Sequence, residues 1–553
     1  MRLNRSSWVR LAQIAEVLAH HGLLWVADMI GLSKYMGPAQ RIRAKSLPKV
    51  SSNWPDRVRL VLADLGPTYV KLGQLASIRP DILPPALVES LEHLQDDVPP
   101  FSFADAVRIM ESAWGQSLHD AVAYCNPMPL AAASIGQVHE AQLHDGRAVV
   151  IKVRRPGIVE RAESDFRILE VAAERAERRG AWARQNRLSD LVKDLVATMR
   201  DELDFTVEGH NTDTARQHLA NNGAVIVPEV IWPLTRQDVL VMESVGGVKI
   251  NDGAALRELG LDGRVLAHKF IMSLYQQIFQ AGFFHADPHP GNVHVDAQGR
   301  LIYLDWGMVG IFSREMRRRS VGLVLGLVQG NSENVADALL AMGPPNLHVD
   351  RRLLIRDVDR LRRRYYEGSL RDFHLGQALS DLFSAAQRYE LRIPSEYLLL
   401  AKAAVTADGV VRALDPGFSL WEMGRPLAIE LLLNQVNPQQ WVPDAVSEAI
   451  KFGQHLMHLP EEFERALKTL SRGEIRIVLE HQNIDRILSH WARLANRLAL
   501  SFLMGAVVLG LALVVHRTDL DRLAGIPLGE YAFLAAIAVA LYLAVGLMTR
   551  RRL

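Results

Sequence analysis

The sequence predicts a two-lobed α+β fold with a helical extension in front and a helical pair at its C-terminal end. Three observations carry this: a strand–turn–strand stretch within 128–153, long helical stretches on both sides of it, and two charge-free runs of 18 residues at 498–515 and 531–548. At 553 residues the chain exceeds what one hydrophobic core organises, so two or three units are expected. Its composition, 49% hydrophobic and 23% charged, is that of a globular protein. A net charge of +1 provides no broad basic field, which argues against nucleic acid as a partner. The single cysteine, Cys125, excludes an internal disulfide and fits a reducing compartment.

Taken in order, residues 1–10 have early arginines but no apolar run leading to a small-residue cleavage site. Residues 11–32 are interrupted by Glu16, His20, His21 and Asp28 and read as an amphipathic helix, so no signal peptide is expected. A helical N-terminal extension spans 1–122, broken at Pro67, Pro80, Pro84–Pro85 and Pro99–Pro100. The smaller lobe, 123–244, begins with strands 137–141 and 148–153 on either side of the turn Asp145–Gly146. A helical block (161–219) and strands at 225–227 and 239–242 complete it. The lobe at 245–435 is helical apart from 285–310, and a helical linker region follows at 436–495. The runs within 498–548 are long enough to cross a bilayer and read as two transmembrane helices, turned by the Pro- and Gly-containing connector 516–530. Arg493 and Arg497 before the pair and Arg550, Arg551 and Arg552 after it place both outer ends in the cytoplasm, a contrast softened by Arg517 and Arg522. A buried helical hairpin of a soluble core is the competing reading.

Phosphoryl transfer from ATP needs a close-approach loop, a strand lysine, an acid to hold that lysine, an Asp/Asn pair and a second Asp for Mg²⁺. The chain has candidates for all of these, in that order. Ala131, Ala132, Ala133, Ser134, Ile135, Gly136 and Val138 form the phosphate-side loop, 18 residues ahead of Lys152 when counted from Ser134. Alanine there predicts a stiffer loop than a glycine-rich one. Lys152 lies in a Val-Val-Ile-Lys-Val strand, and Glu208 is its expected partner, with Glu202 as the alternative. Met242, Glu243 and Ser244 end the last small-lobe strand and offer backbone to an adenine edge. Asp287, five residues before Asn292, takes the acceptor-side role; Asn292 and Asp305, the latter in Asp305-Trp306-Gly307, are the Mg²⁺ ligands. Asp287 and Lys152 are the catalytic candidates. His285, His289 and His294 also suggest zinc, but Pro288 and Pro290 forbid the helix that would align them. His289 is expected to bond loop backbone instead. A small strand-rich lobe before a larger helical one is the layout of a protein kinase, so the expected fold is protein-kinase-like. No Ala-Pro-Glu signature follows Gly307, which makes an ordinary peptide-binding surface doubtful.

The string from His285 to Asn292, the Asp-Trp-Gly triplet, the run 131–139, Lys71-Leu72-Gly73-Gln74, and Glu202-Leu203-Asp204-Phe205 with Glu208 and Asn211 resemble the UbiB (AarF-type) atypical kinases, over about 60–310. The paired C-terminal runs resemble the bacterial quinone-pathway members. Gly136 and Gly209 stand where that family often has alanine, and Trp306 where it often has phenylalanine. The resemblance implies ATP and Mg²⁺ as ligands and an extension folded over the protein-substrate pocket. There Lys71, with Gln74 nearby, engages Glu202 and Asp204. It implies an ATPase or atypical kinase of ubiquinone biosynthesis that handles lipophilic quinone precursors and membrane lipid, with other quinone-pathway proteins and a second copy of the chain as candidate partners. It also implies a multi-pass protein of the cytoplasmic (inner) membrane with its catalytic domain and both termini in the cytoplasm. A genuine kinase for a protein or small molecule, and a non-catalytic lipid-binding scaffold, are the alternatives.

Overall fold

The structure, a computed structural model, describes residues 5–23, 53–77, 83–94, 98–185, 187–343, 349–366, 375–389, 391 and 393–418, with Leu427 and Glu430. The chain divides into compact units at 1–442 and 443–553, and every described residue belongs to the first. The linker expected at 436–495 and the membrane hairpin expected at 498–548 lie outside the described residues. Among the described residues no helix is long and apolar enough to cross a membrane.

The N-terminal extension is helical: α1 (Arg5–His20), α2 (Trp54–Leu65), α3 (Pro67–Ser77) and α4 (Pro85–Glu92). In α1 the buried residues are Leu11, Ile14, Ala15, Leu18 and Ala19, the three-and-four spacing of an amphipathic helix with one face in the core. Gly66, at φ +99°, separates α2 from α3, a backbone angle that favours glycine. Asp165, fully buried in the helix after the first sheet, takes Arg10 Nε at 2.7 Å and ties α1 to the rest of the unit.

The smaller lobe starts with α5 (Phe103–Trp114), whose Ser102 cap accepts from Asp105 N and which ends at Gly115 in the left-handed region. Its five-stranded antiparallel sheet runs β1 (Tyr124–Cys125), β3 (Gly136–Gln142), β4 (Ala148–Arg154), β6 (Val239–Glu243), with β2 (Ala131–Ala132) on β3. Side chains alternate across a strand. Val149, Ile151 and Val153 therefore face α5, where they are buried with Met110 and Val241. Val150 and Lys152 face the other way, towards α8 (Phe205–Leu219). This helix follows α6 (Ile158–Arg179) and α7 (Leu188–Leu203), and its Phe205 packs with Leu240 and Met242.

The larger lobe begins with a four-stranded sheet: β5 (Val225–Ile226), β10 (Leu301–Tyr303), β9 (Val293–Val295) and β7 (Val248–Lys249). A ribbon pairs β8 (Phe283–His285) with β11 (Val309–Ile311). Its longer helices among the described residues are α9 (Gly263–Tyr275), α10 (Arg314–Val328), α11 (Ser332–Met342), α12 (Arg351–Tyr366), α13 (Leu375–Gln387) and α14 (Ser395–Leu414).

Candidate active site

Two short pairings bring the loop residues together. In β9–β10 Val293 lies opposite Tyr303, and the next residues along meet through Leu304 N donating to Asn292 O at 2.9 Å. Asn292 and Asp305 therefore leave the same end of one hairpin. In β8–β11 His285 lies opposite Val309, and Ala286 N donates to Met308 O at 3.1 Å, which carries Asp287 to the side of the Asp-Trp-Gly turn. Asn292 Nδ2 donates to Asp287 O at 3.3 Å and closes the loop on itself.

Lys152, in the middle of the sheet between Val138 and Leu240, extends into this cluster. Its Nζ donates to both oxygens of Glu208, at 2.9 and 2.7 Å, and lies 3.6 Å from Asp305 Oδ2. Glu208 is thus the acid on the lysine. Glu202 is one helix earlier, at the end of α7, 3.2 Å from Lys71 of α3. The two acids sit on different helices because Asp204 starts α8 as its cap, accepting from Thr206 N at 3.0 Å and from Thr206 Oγ1. The resemblance put Asp204 beside Lys71; the structure employs its carboxylate at the helix start. Gln74 likewise donates to Leu94 O at 3.2 Å and links α3 to the end of α4.

The electrostatics follow from crowding three acids, Glu202, Glu208 and Asp305, and two ammoniums, Lys71 and Lys152, into a half-buried space. Burial opposes the Lys152 charge, but Asp305 and Glu208 outweigh it and raise the pKa. Burial also acts on Asp305, yet Lys152 and the Gly307 amide, which donates to Asp305 Oδ1 at 2.8 Å, hold it well below the usual carboxylate range. Glu208 is pushed up to about 7 by burial, with Asp305 and Glu202 nearby and Lys152 opposing the rise. Asp305 is therefore ionised, and its side chain is 43% exposed, open to a cation.

The loop at 131–136 is the tip of a hairpin. Ala131 pairs with Val138, Ala132 with Gln137, and Ala133 N donates to Gly136 O at 2.8 Å. Arg155 Nη2 holds it from outside, donating to Ala133 O at 3.2 Å and to Pro99 O at 3.0 Å. Ser134 is fully buried at the tip, with Oγ unpartnered among the described residues. Ile135 packs beside Phe205, under the Lys152 ammonium, which lies 5.1 Å from the Phe205 ring centre.

At the expected adenine edge two of the backbone amides already have acceptors. Glu243 N already donates to Glu229 O at 2.8 Å and Ser244 N to Ala148 O at 2.9 Å, because strand pairing continues through them, and Met242 is buried. Among the described residues the first amide after β6 without an acceptor is that of Val245.

The histidines separate. His285 is buried among Tyr303 and Trp306, with Nδ1 accepting from Asp287 N at 3.1 Å. His289 Nδ1 accepts from Gly291 N at 3.0 Å, a backbone bond within the loop, and His294 faces out from β9. No three His, Cys, Asp or Glu side chains among the described residues are grouped as a shared metal would require. Asn292 and Asp305 supply oxygen donors, the kind hard Mg²⁺ takes alongside phosphate and water. Gly307 keeps the space beside them clear, since a Cβ there would lie 3.0 Å from Asp305 Oδ1 and 3.9 Å from Glu208 Oε2. The residues present fit Mg²⁺ and a triphosphate.

One residue of this cleft has no counterpart in the sequence reading. Lys402 of α14 donates to Asp287 Oδ2 at 2.8 Å. Its only sequence signal is a lone charge in the apolar and alanine-rich stretch 397–405.

Comparison with known proteins matches residues 93–339 to an ABC1 atypical kinase-like domain, 358–419 to a UbiB helical domain and 482–549 to an ABC1/UbiB kinase-like C-terminal domain. The chain is 32% identical over 501 residues to a probable protein kinase UbiB of Marinobacter nauticus, covering 89% of this chain and 90% of that one. It is 33% identical over 435 residues to an uncharacterized protein of Synechocystis sp., covering 78% and 74%. A solved Mycobacterium tuberculosis protein in complex with erythromycin aligns with TM-score 0.43 at 21% identity, over 65% of this chain and 95% of that one.

Proposed function

The chain belongs to the UbiB family of atypical kinases, and from that premise we propose that it turns over ATP with Mg²⁺ in the cleft between Lys152 and Asp305 in support of ubiquinone biosynthesis at the membrane. The observation that carries this reading is the contiguous chain of contacts Glu208–Lys152–Asp305, with Asn292 across the hairpin. Lys152 would neutralise phosphate oxygens, Asn292 and Asp305 would hold Mg²⁺, and the hairpin tip 131–136 would lie along the phosphates. Val245, directly after Met242, Glu243 and Ser244, would be the hinge donor for the adenine edge. Bound there, Mg·ATP supplies an activated phosphoryl group; the protein supplies position and charge.

The free energy of that turnover serves to move lipophilic quinone precursors between membrane lipid and soluble enzymes. Lys71 on Glu202 supports this assignment, because it fastens the extension beside the cleft, close enough for its charge to act on Asp305. ATP hydrolysis by the full chain, measured with anionic liposomes and a phenolic precursor mimic, tests it. Stimulation by both additives, reduced at least tenfold by Asp305→Asn, is expected; hydrolysis indifferent to the additives and to that substitution would refute it. A second reading, transfer to a protein or small-molecule hydroxyl, draws support from the intact Asp287. A phosphorylated product that depends on Asp287 in a deletion strain would favour it.

A further inference from the structure

The loop between Asp287 and Asn292 consists of Pro288, His289, Pro290 and Gly291, so it carries no fixed positive charge of its own. His289 is engaged with the Gly291 amide. On the other side of the cleft the Lys152 ammonium is shared between Glu208 and Asp305. Asp287 nevertheless has an ammonium at 2.8 Å, that of Lys402, brought in from more than a hundred residues downstream. The contact is part-buried: the two side chains are 28% and 26% exposed. It rests on a firm platform. The α14 helix buries Tyr397, Leu398, Ala401 and Val411, and the Tyr397 ring packs 5.3 Å from that of Phe312, next to β11. Lys402 Nζ also lies 3.7 Å from Met308 Sδ, just after the Asp-Trp-Gly turn. Glu92, the last residue of α4, adds its negative charge to the surroundings of the same ammonium from the extension.

We propose that Lys402 is the positioning residue for Asp287, provided by the helical region in place of a cation in the loop; this rests on reading the cleft as a site of ATP turnover. The ammonium fixes Oδ2 and leaves Oδ1, which has no partner among the described residues, turned towards the acceptor. It also cancels one of the negative charges that a triphosphate meets at Asp287 and Asp305. During transfer Asp287 Oδ1 takes the acceptor's proton as the new oxygen–phosphorus bond forms and the bond to the β-phosphate oxygen breaks. Lys402 keeps its own proton and its hold on Oδ2. A carboxylate free to rotate would lose the alignment on which this step depends, a loss of about 100-fold for a small misplacement.

The test is a double-mutant cycle on the full chain, reading kcat and KM for ATP hydrolysis, ATP affinity by equilibrium dialysis and the thermal midpoint. Lys402→Met should lower kcat about 100-fold while ATP affinity changes less than about threefold, and Lys402→Arg should recover most of the rate. In an Asp287→Asn background, Lys402→Met should change kcat less than about twofold, since the residue it positions is gone. Wild-type kcat in Lys402→Met, an equal loss in both backgrounds, or a loss confined to ATP affinity would overturn the proposal. If Lys402→Met fails to fold, a folded Lys402→Arg with no more than background activity overturns it instead, and a recovered rate supports it. Wild-type protein that neither binds nor hydrolyses ATP would bring down the functional reading together with this one. An active wild type beside an indifferent Lys402→Met would bring down this one alone.

Discussion

His285 connects acidity to the loop that carries Asp287. Its Nδ1 must remain unprotonated to accept the Asp287 amide, and burial pushes its pKa down to about 4. In the unfolded chain it titrates near 6.5. Above that pH both states hold the neutral ring. As pH falls from about 6.5 towards 4 the unfolded chain takes up a proton that the folded one refuses, so stability drops across that window, by about 3 kcal/mol from this residue. Urea unfolding at pH 7 and pH 4.5 should show a larger loss for wild type than for His285→Gln, which has no such titration; equal losses would mean that the ring is not held neutral. Residue by residue, the strand lysine, the Asp/Asn spacing and the Asp-Trp-Gly turn were legible because each requirement is written within a few consecutive positions. Lys402 and the Val245 amide were not. The first depends on where a distant helix lands, and the second on which strand amides already have acceptors. Asp204 was misread because a carboxylate just before a helix has a use of its own, as a cap.

At the scale of elements, the three-residue strands β8 and β11 do much of the positioning, and their pairing depends on a missing side chain. A Cβ on Gly310 would lie 2.1 Å from Phe284 Cζ and within 2.6 Å of two further ring atoms. Phe284 is fully buried and packed edge-on to Phe312, so the ring has nowhere to retreat. Gly310→Ala should therefore destabilise the protein by about 1–3 kcal/mol. Calorimetry checks this, and Phe284→Leu added to Gly310→Ala should restore part of the loss. An unchanged midpoint in Gly310→Ala would contradict the packing. From sequence, 285–310 was visible as an interruption between helices, and 301–304 as a strand. The β8–β11 ribbon was not, since strands this short leave no alternation to read. The alanine run was placed in a loop ahead of the strand lysine, and in the structure it lies at the tip of the β2–β3 hairpin, where Arg155 bonds it.

Across the whole molecule, the extension is part of the compact unit. Its α3 reaches α7 through Lys71 on Glu202, an acid whose pKa is raised by burial, with the Lys71 ammonium opposing the rise. Lys71→Met removes that partner and should cost about 1–3 kcal/mol, less than a fully buried pair because Lys71 is partly exposed. Hydrogen exchange should rise in 67–77 and 188–203 together; exchange unchanged in both would show that packing alone holds the extension. The order of extension, strand-rich lobe and helical lobe was readable from composition and periodicity. Which helix meets which lobe was not, because an apolar face does not name its partner.

The contact between Lys402 and Asp287 also has a consequence during synthesis. A ribosome that has translated as far as the β8–β11 ribbon has already made Lys71, Lys152, Glu208, Asp287, Asn292 and Asp305. It has still to add close to a hundred residues before α14 can dock, so a growing chain carries these residues of the cleft while the acid at position 287 lacks its counterion. The cleft is therefore completed from the C-terminal side, and because Tyr397, Leu398 and Ala401 of α14 also belong to the central core, a product that ends before this helix would lack both that packing and the counterion of Asp287.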